Sequence, residues 1–119
     1  MGKGVRLLLN GLLAALLLGC ATARITGGPV PEGRLKDGVY DGTARNGPVR
    51  VAAKVTIRNQ RIAAVELIKH RHWKGAEAER AIPARIIEAQ STRVDAVSGA
   101  TASSTAIMNA VEAAVQKAR

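Results

Sequence analysis

The chain has 119 residues, a formal charge of +9, 47% hydrophobic residues and one cysteine. That is room for one small domain, and a lone thiol excludes an internal disulfide. Tyr40 and Trp73 are the only aromatic residues, so the core is aliphatic and alanine-rich; with no DNA-binding motif and few rings for base stacking, nucleic acid is argued against despite the basic balance.

The first segment reads as an address. Lys3 and Arg6 precede an apolar run from Leu7 to Leu18, broken only by Asn10 and Gly11, and the run ends Leu17-Leu18-Gly19-Cys20. A positive start and a short apolar core are the layout of a secretory signal peptide, too short for a spanning helix. The ending resembles the bacterial lipobox, in which the cysteine is acylated and becomes the mature N-terminus. The expectation is a signal peptide at 1–19, lipidation at Cys20 and a domain in the bacterial cell envelope, held to the membrane by its lipid. A retained apolar anchor leads to the same compartment. Residues 20–33, with Gly27, Gly28, Pro29, Pro31 and Gly33 and no apolar period, read as a flexible tether. Residues 34–119 remain as the domain.

A first strand is expected from Asp37 to Arg45, followed by the turn signal Asn46-Gly47-Pro48. Beyond it Val49, Val51, Ala53, Val55 and Ile57 alternate with Arg50, Ala52, Lys54, Thr56 and Arg58. A period of two over nine residues predicts a half-buried antiparallel strand. Asn59-Gln60-Arg61 turns the chain into a third strand over Ile62 to Arg71, whose less regular rhythm suggests a bulge. Helical character follows from Gly75 to Gln90. Pro83 interrupts it, and proline is disruptive beyond a first turn, so the main helix is expected to start near Ile82 after a separate turn or short helix over Ala76 to Ala81. The last helix is the clearest: Ile107, Ala110, Val111, Ala114, Val115 and Ala118 share one face, with Ser103 or Ser104 as N-cap. These elements predict an α+β domain, a small antiparallel sheet of three or four strands packed by two or three helices.

The chemistry concentrates in Asp95-Ala96-Val97-Ser98-Gly99-Ala100-Thr101-Ala102-Ser103-Ser104, just before that helix. The first N–H groups of a helix lack internal partners and its dipole favours negative charge, so such a site receives phosphate. Gly99 permits close approach; Ser98, Ser103 and Ser104 carry hydroxyls able to donate to phosphate oxygens. Asp95 fits as a brace accepting backbone N–H bonds, or as a mark read by a modifying enzyme.

The run D-A-V-S-G-A-T resembles the acceptor motif of the FMN-binding domain family, found in the C subunit of the sodium-pumping NADH:quinone oxidoreductase and the G subunit of the Rnf complex. The likeness extends through His70 to Gly75, Ala81 to Ser91 and Val94 to Val115. It implies FMN as cofactor, esterified through its phosphate to Thr101, with Ser98, Gly99, Ala100, Asp95, Ser103, Ser104 and His70 around it. It also implies a separate flavin transferase that takes FMN from FAD with a divalent metal and releases AMP, and envelope proteins as electron donor and acceptor. The chain then works as an electron carrier rather than as a self-sufficient enzyme. The rival reading is an accessory envelope module that holds FMN non-covalently or not at all.

Other candidates are weaker. His70 and His72 would share a strand face, yet two histidines without a third ligand make a poor metal site. Trp73 suits core packing or ring stacking, and Arg71, Lys74 and Arg93 suit either phosphate or solvent. A hydrolase lacks a nucleophile elbow, and neither histidine has an evident orienting acid in sequence.

Overall fold

The computed structural model describes residues 24–31, 33–71 and 75–119. The signal-like segment, Cys20, His72, Trp73 and Lys74 lie outside the described residues. Three antiparallel strands, β1 (Gly38–Asn46), β2 (Val49–Arg58) and β3 (Arg61–Arg71), lie in the order β1-β2-β3. Two helices, α1 (Ala76–Ala89) and α2 (Thr101–Ala118), cover one face. The architecture is the expected α+β, with three strands and two helices among the described residues.

The alternation in β2 sets the sheet's two faces. Val49, Val51, Ala53, Val55 and Ile57 are buried beneath the helices, whereas Arg50, Lys54 and Arg58 are exposed. In the turn joining β2 to β3 both Asn59 and Gln60 have positive φ. That geometry matches the twist of the flanking strands. Asp37 Oδ1 accepts the Gln60 N–H at 3.2 Å.

β3 carries the expected irregularity. Lys69 pairs with Ala52 and Leu67 with Ala53, leaving Ile68 as an extra residue; a second shift leaves Ala63 between Ala64 and Ile62. The bulge at Ile68 changes the phase of the strand. Val65 and Leu67 are half-buried against the core, and unbroken alternation from them would turn Lys69 and Arg71 inward. With the bulge it is His70 that turns inward, its side chain fully buried.

α1 corrects the expectation at Pro83. The helix runs unbroken from Ala76 through Pro83 to Ala89. An interior proline forfeits one backbone bond and costs about 3 kcal/mol. Ala78, Ile82, Pro83 and Ile86 are buried on one face, and complete burial of an isoleucine returns about 1.5–3 kcal/mol. The two isoleucines therefore offset the proline. Gln90 ends the helix in the left-handed conformation. Its amide also clamps β3, accepting from the Ile62 N–H at 2.9 Å and donating to the Ile62 carbonyl at 3.0 Å.

α2 is the core helix. Ile107, Ala110, Val111, Ala114, Val115 and Ala118 are all fully buried. A side chain at Gly42 of β1 would strike the backbone of Ala110 and Ala114, so the small residues seat the helix directly on the sheet. Glu112 is buried too. Its Oε1 accepts from Thr92 Oγ1 at 3.0 Å and its Oε2 from Gln116 Nε2 at 3.0 Å, with Arg119 3.8 Å away.

Residues 24–31, read in sequence as tether, lie along the helical layer. The Thr26 N–H donates to Asn109 Oδ1 at 2.9 Å, and Asn109 Nδ2 donates to the Arg24 carbonyl at 2.8 Å. The Gly28 N–H donates to Thr92 Oγ1, the Val30 N–H to the Gln90 carbonyl, and Pro29 bridges Ser91. Gly27 sits so close to Thr92 and Glu112 that a methyl group there would collide with both. The segment is held by hydrogen bonds, close approach and the partly buried Ile25 and Val30, two isolated apolar contacts that set up no period in sequence.

Candidate functional site

The site is the N-terminus of α2 and what surrounds it. The helix starts at Thr101, and its N-cap position is Ala100, which offers no side-chain acceptor. Ser103 and Ser104 are thus not the caps; both lie inside the first turn and are buried. The first turn holds no acidic residue. A polar cap contributes about 1 kcal/mol; here the cap position gives none, and the first N–H bonded back along the chain is that of Ser104, to the Ala100 carbonyl. Thr101 is exposed at that end.

The loop ahead of it is fixed by one hydroxyl. Ser104 Oγ donates to the Ala100 carbonyl at 2.7 Å and accepts from the Val97 N–H at 3.0 Å. The Ala100 N–H closes a turn onto the Val97 carbonyl at 3.0 Å. Gly99, at φ +82°, makes that turn in the left-handed region. Ser104 therefore spends its only proton inside the loop and has none to give a phosphate. Ser98 and Gly99 stay exposed on the rim.

Asp95 is exposed, and no described residue hydrogen-bonds its carboxylate; its main-chain carbonyl accepts from Arg85 at 2.7 Å. The brace foreseen for Asp95 is thus made by Ser104. Arg93 lies with Arg85 and Asp95 along a separate open groove.

The other wall comes from the sheet. Pro48 and Val49 of the first hairpin face Gly99, Ala100, Thr101 and Ala102 across a mostly apolar cleft of about 190 Å³. Asn46, the last residue of β1, donates from Nδ2 to the Ala102 carbonyl at 3.3 Å, pinning the hairpin to the helix start. A polar end receptive to anions beside an apolar cleft suits a ligand with a phosphate and a flat ring.

Beneath Thr101 lies a second array. His70 Nε2 stands 2.9 Å from Ser103 Oγ, and its Nδ1 is 3.5 Å from Glu79 Oε1 of α1. Glu79 is the acid that the sequence left unassigned, because its approach to His70 depends on α1 docking against β3. Gly75 makes room: a methyl group there would strike Ser103 Oγ and the His70 ring. Ser103 is buried and turned toward His70, so it supports the floor of the site rather than its rim. Among the described residues no cluster of three metal-ligating side chains occurs.

An α+β domain with an open helix N-terminus, a glycine turn and an adjoining apolar cleft belongs to the class of small phosphate-ligand binders. Comparison with known proteins makes the class specific. The FMN-binding domain family matches residues 45–116, which span β2, β3, α1, the Thr101 loop and all but the end of α2. The chain belongs to that family, and FMN is its cofactor. It is also similar to an uncharacterized protein of Treponema pallidum (strain Nichols), 40% identical over 85 residues that make up 70% of this chain and 24% of the relative. The chain thus spans about a quarter of that relative's length.

Proposed function

We propose that this protein carries FMN covalently on Thr101 and passes electrons between proteins of the bacterial cell envelope. The single observation behind the attachment is the exposed threonine at a helix start whose cap position is an alanine. The N–H groups there stabilise the charge of a phosphodiester without a cationic side chain. In the joining step the Thr101 oxygen attacks the flavin-side phosphorus of FAD. The Thr101 Oγ1–P bond forms, the pyrophosphate P–O bond breaks, AMP leaves, and the hydroxyl proton departs with it. A separate transferase with its divalent metal supplies that catalysis, and the free carboxylate of Asp95 is the feature for it to read.

Once bound, FMN supplies the redox chemistry. The chain's part is to hold the phosphate at the α2 start, to offer Pro48 and Val49 as an apolar wall, and to keep His70 beneath the first turn. An ester bond also prevents loss of the cofactor outside the cytoplasm. Anchoring through Cys20 after removal of residues 1–19 keeps the carrier at the membrane, beside its electron donor and acceptor.

The test is co-production with the transferase, followed by denaturing electrophoresis. Flavin fluorescence is expected to stay with the wild-type band and to vanish from Thr101→Ala, whose circular dichroism stays native. Fluorescence retained by the Thr101→Ala band contradicts the assignment of the site. A folded wild-type band that never fluoresces supports the second reading, an accessory module with loosely held FMN.

A further inference from the structure

The outer face of the sheet carries a row that no requirement of the fold explains. Arg45 of β1 pairs directly with Arg50 of β2, and Arg50 pairs directly with Arg71 of β3. Three arginines therefore stand abreast across the sheet, and all three are exposed. Like charges in directly opposed positions are destabilising. Lys69 extends the patch one row in, opposite Ala52. None of these four cations forms an ion pair with a described residue. Two rows further along, the same face places Asp41, Lys54 and Glu66 abreast, an acid–base–acid row in which each neighbouring pair attracts. At the far end of the face Arg58 stands opposite Arg61 as a single pair, so among the described residues three cations stand abreast only in the row beside the first hairpin.

Its location is informative. Arg45 and Arg50 flank the hairpin whose Asn46 bonds the Ala102 carbonyl and whose Pro48 and Val49 wall the cleft at Thr101. The bulge residue Ile68, 55% exposed, offers an apolar contact next to Lys69 in the chain. The same bulge that turns His70 in turns Lys69 and Arg71 out. The segment nearest the N-terminus, by contrast, bonds to α2 and to the stretch after α1, on the face opposite the arginines. A domain anchored from that side presents the arginine row away from the lipid.

We propose that this row is the docking platform for an acidic electron-transfer protein, which it brings against the flavin end of the domain. The proposal rests on the electron-carrier reading above. Carboxylates of the partner pair with the guanidinium forks, relieve the repulsion along the row and steer encounter. An anionic membrane surface is the competing occupant, and the position of the N-terminal segment argues against it.

The test uses the flavin-free full chain, so that loading of FMN plays no part in the result. Binding of an acidic [2Fe–2S] ferredoxin is titrated at low and high salt for wild type, Arg50→Glu and Arg58→Glu, the last lying at the far end of the same face. The wild-type Kd is expected to rise about tenfold or more from 50 to 300 mM salt. Arg50→Glu is expected to weaken binding at least about tenfold and Arg58→Glu less than about threefold. Arg50→Glu also puts an acid between two arginines, so its melting temperature is expected to match or exceed that of wild type, which separates lost binding from lost folding. Equal effects of the two variants, or none from Arg50→Glu, overturn the proposal. So does a result in which Arg50→Glu weakens capture on phosphatidylglycerol vesicles relative to phosphatidylcholine vesicles yet leaves ferredoxin binding unchanged.

Discussion

Ser104 decides the shape of the attachment loop. Its hydroxyl joins the Val97 N–H and the Ala100 carbonyl in a fully buried setting. Removing it strands a buried donor, which costs about 1–3 kcal/mol. Ser104→Ala is therefore expected to lower the urea midpoint by a corresponding amount and to slow loading of FMN, because Thr101 follows the loop it braces. An unchanged midpoint and an unchanged loading rate contradict this role. The helix start after the loop was legible in sequence, but the division of labour among the loop's residues was not. Three serines with the same chemistry stand within seven positions, and only the closed loop assigns one to the rim, one to His70 and one to the brace. Asp95 lost its expected bracing role for the same reason.

At the scale of elements, the strands were the easiest to read. β2 exposes one face and buries the other, so its period of two is written in the side chains. The bulge in β3 left a trace as well, since the apolar rhythm of Val65 and Leu67 fails at Ile68. α1 departs from its sequence pattern at Pro83 because the proline penalty is local and visible, whereas the burial of Ile82 and Ile86 that offsets it is tertiary. A prediction follows from that balance. Pro83→Ala restores one helical hydrogen bond and a favourable propensity of about 3 kcal/mol. It gives up part of a buried ring and some unfolded-state restriction, together about 2 kcal/mol. The variant is expected to be more stable by about 1 kcal/mol in urea unfolding. A loss of stability would mean that the ring fills a space the core cannot close.

At the scale of the whole molecule, the docked N-terminal segment changes how the domain can move. With Cys20 as anchor, four residues separate the lipid from Arg24, at most about 14 Å of extended chain. On the proposed anchoring, the domain is held within that distance of the bilayer. Asn109 is the main fastening, with three hydrogen bonds to Arg24 and Thr26, each of the kind that contributes about 0.5–1.5 kcal/mol. Asn109→Ala is expected to leave the melting temperature nearly unchanged while trypsin cuts after Arg24 at least about five times faster. Equal cleavage rates would show that the segment is released in the native protein as well. No composition or period signalled this docking, since it depends on hydrogen bonds to the Asn109 and Thr92 side chains from distant sequence and on the bare backbone of Gly27 against Thr92 and Glu112.

The proposed bond between FMN and the Thr101 oxygen is read out by mass spectrometry of the mature chain made with the transferase and FAD. The mass is expected to rise by one FMN less one water, carried by the proteolytic peptide that contains Thr101. A protein of unshifted mass, or a gain located on any other peptide, contradicts it.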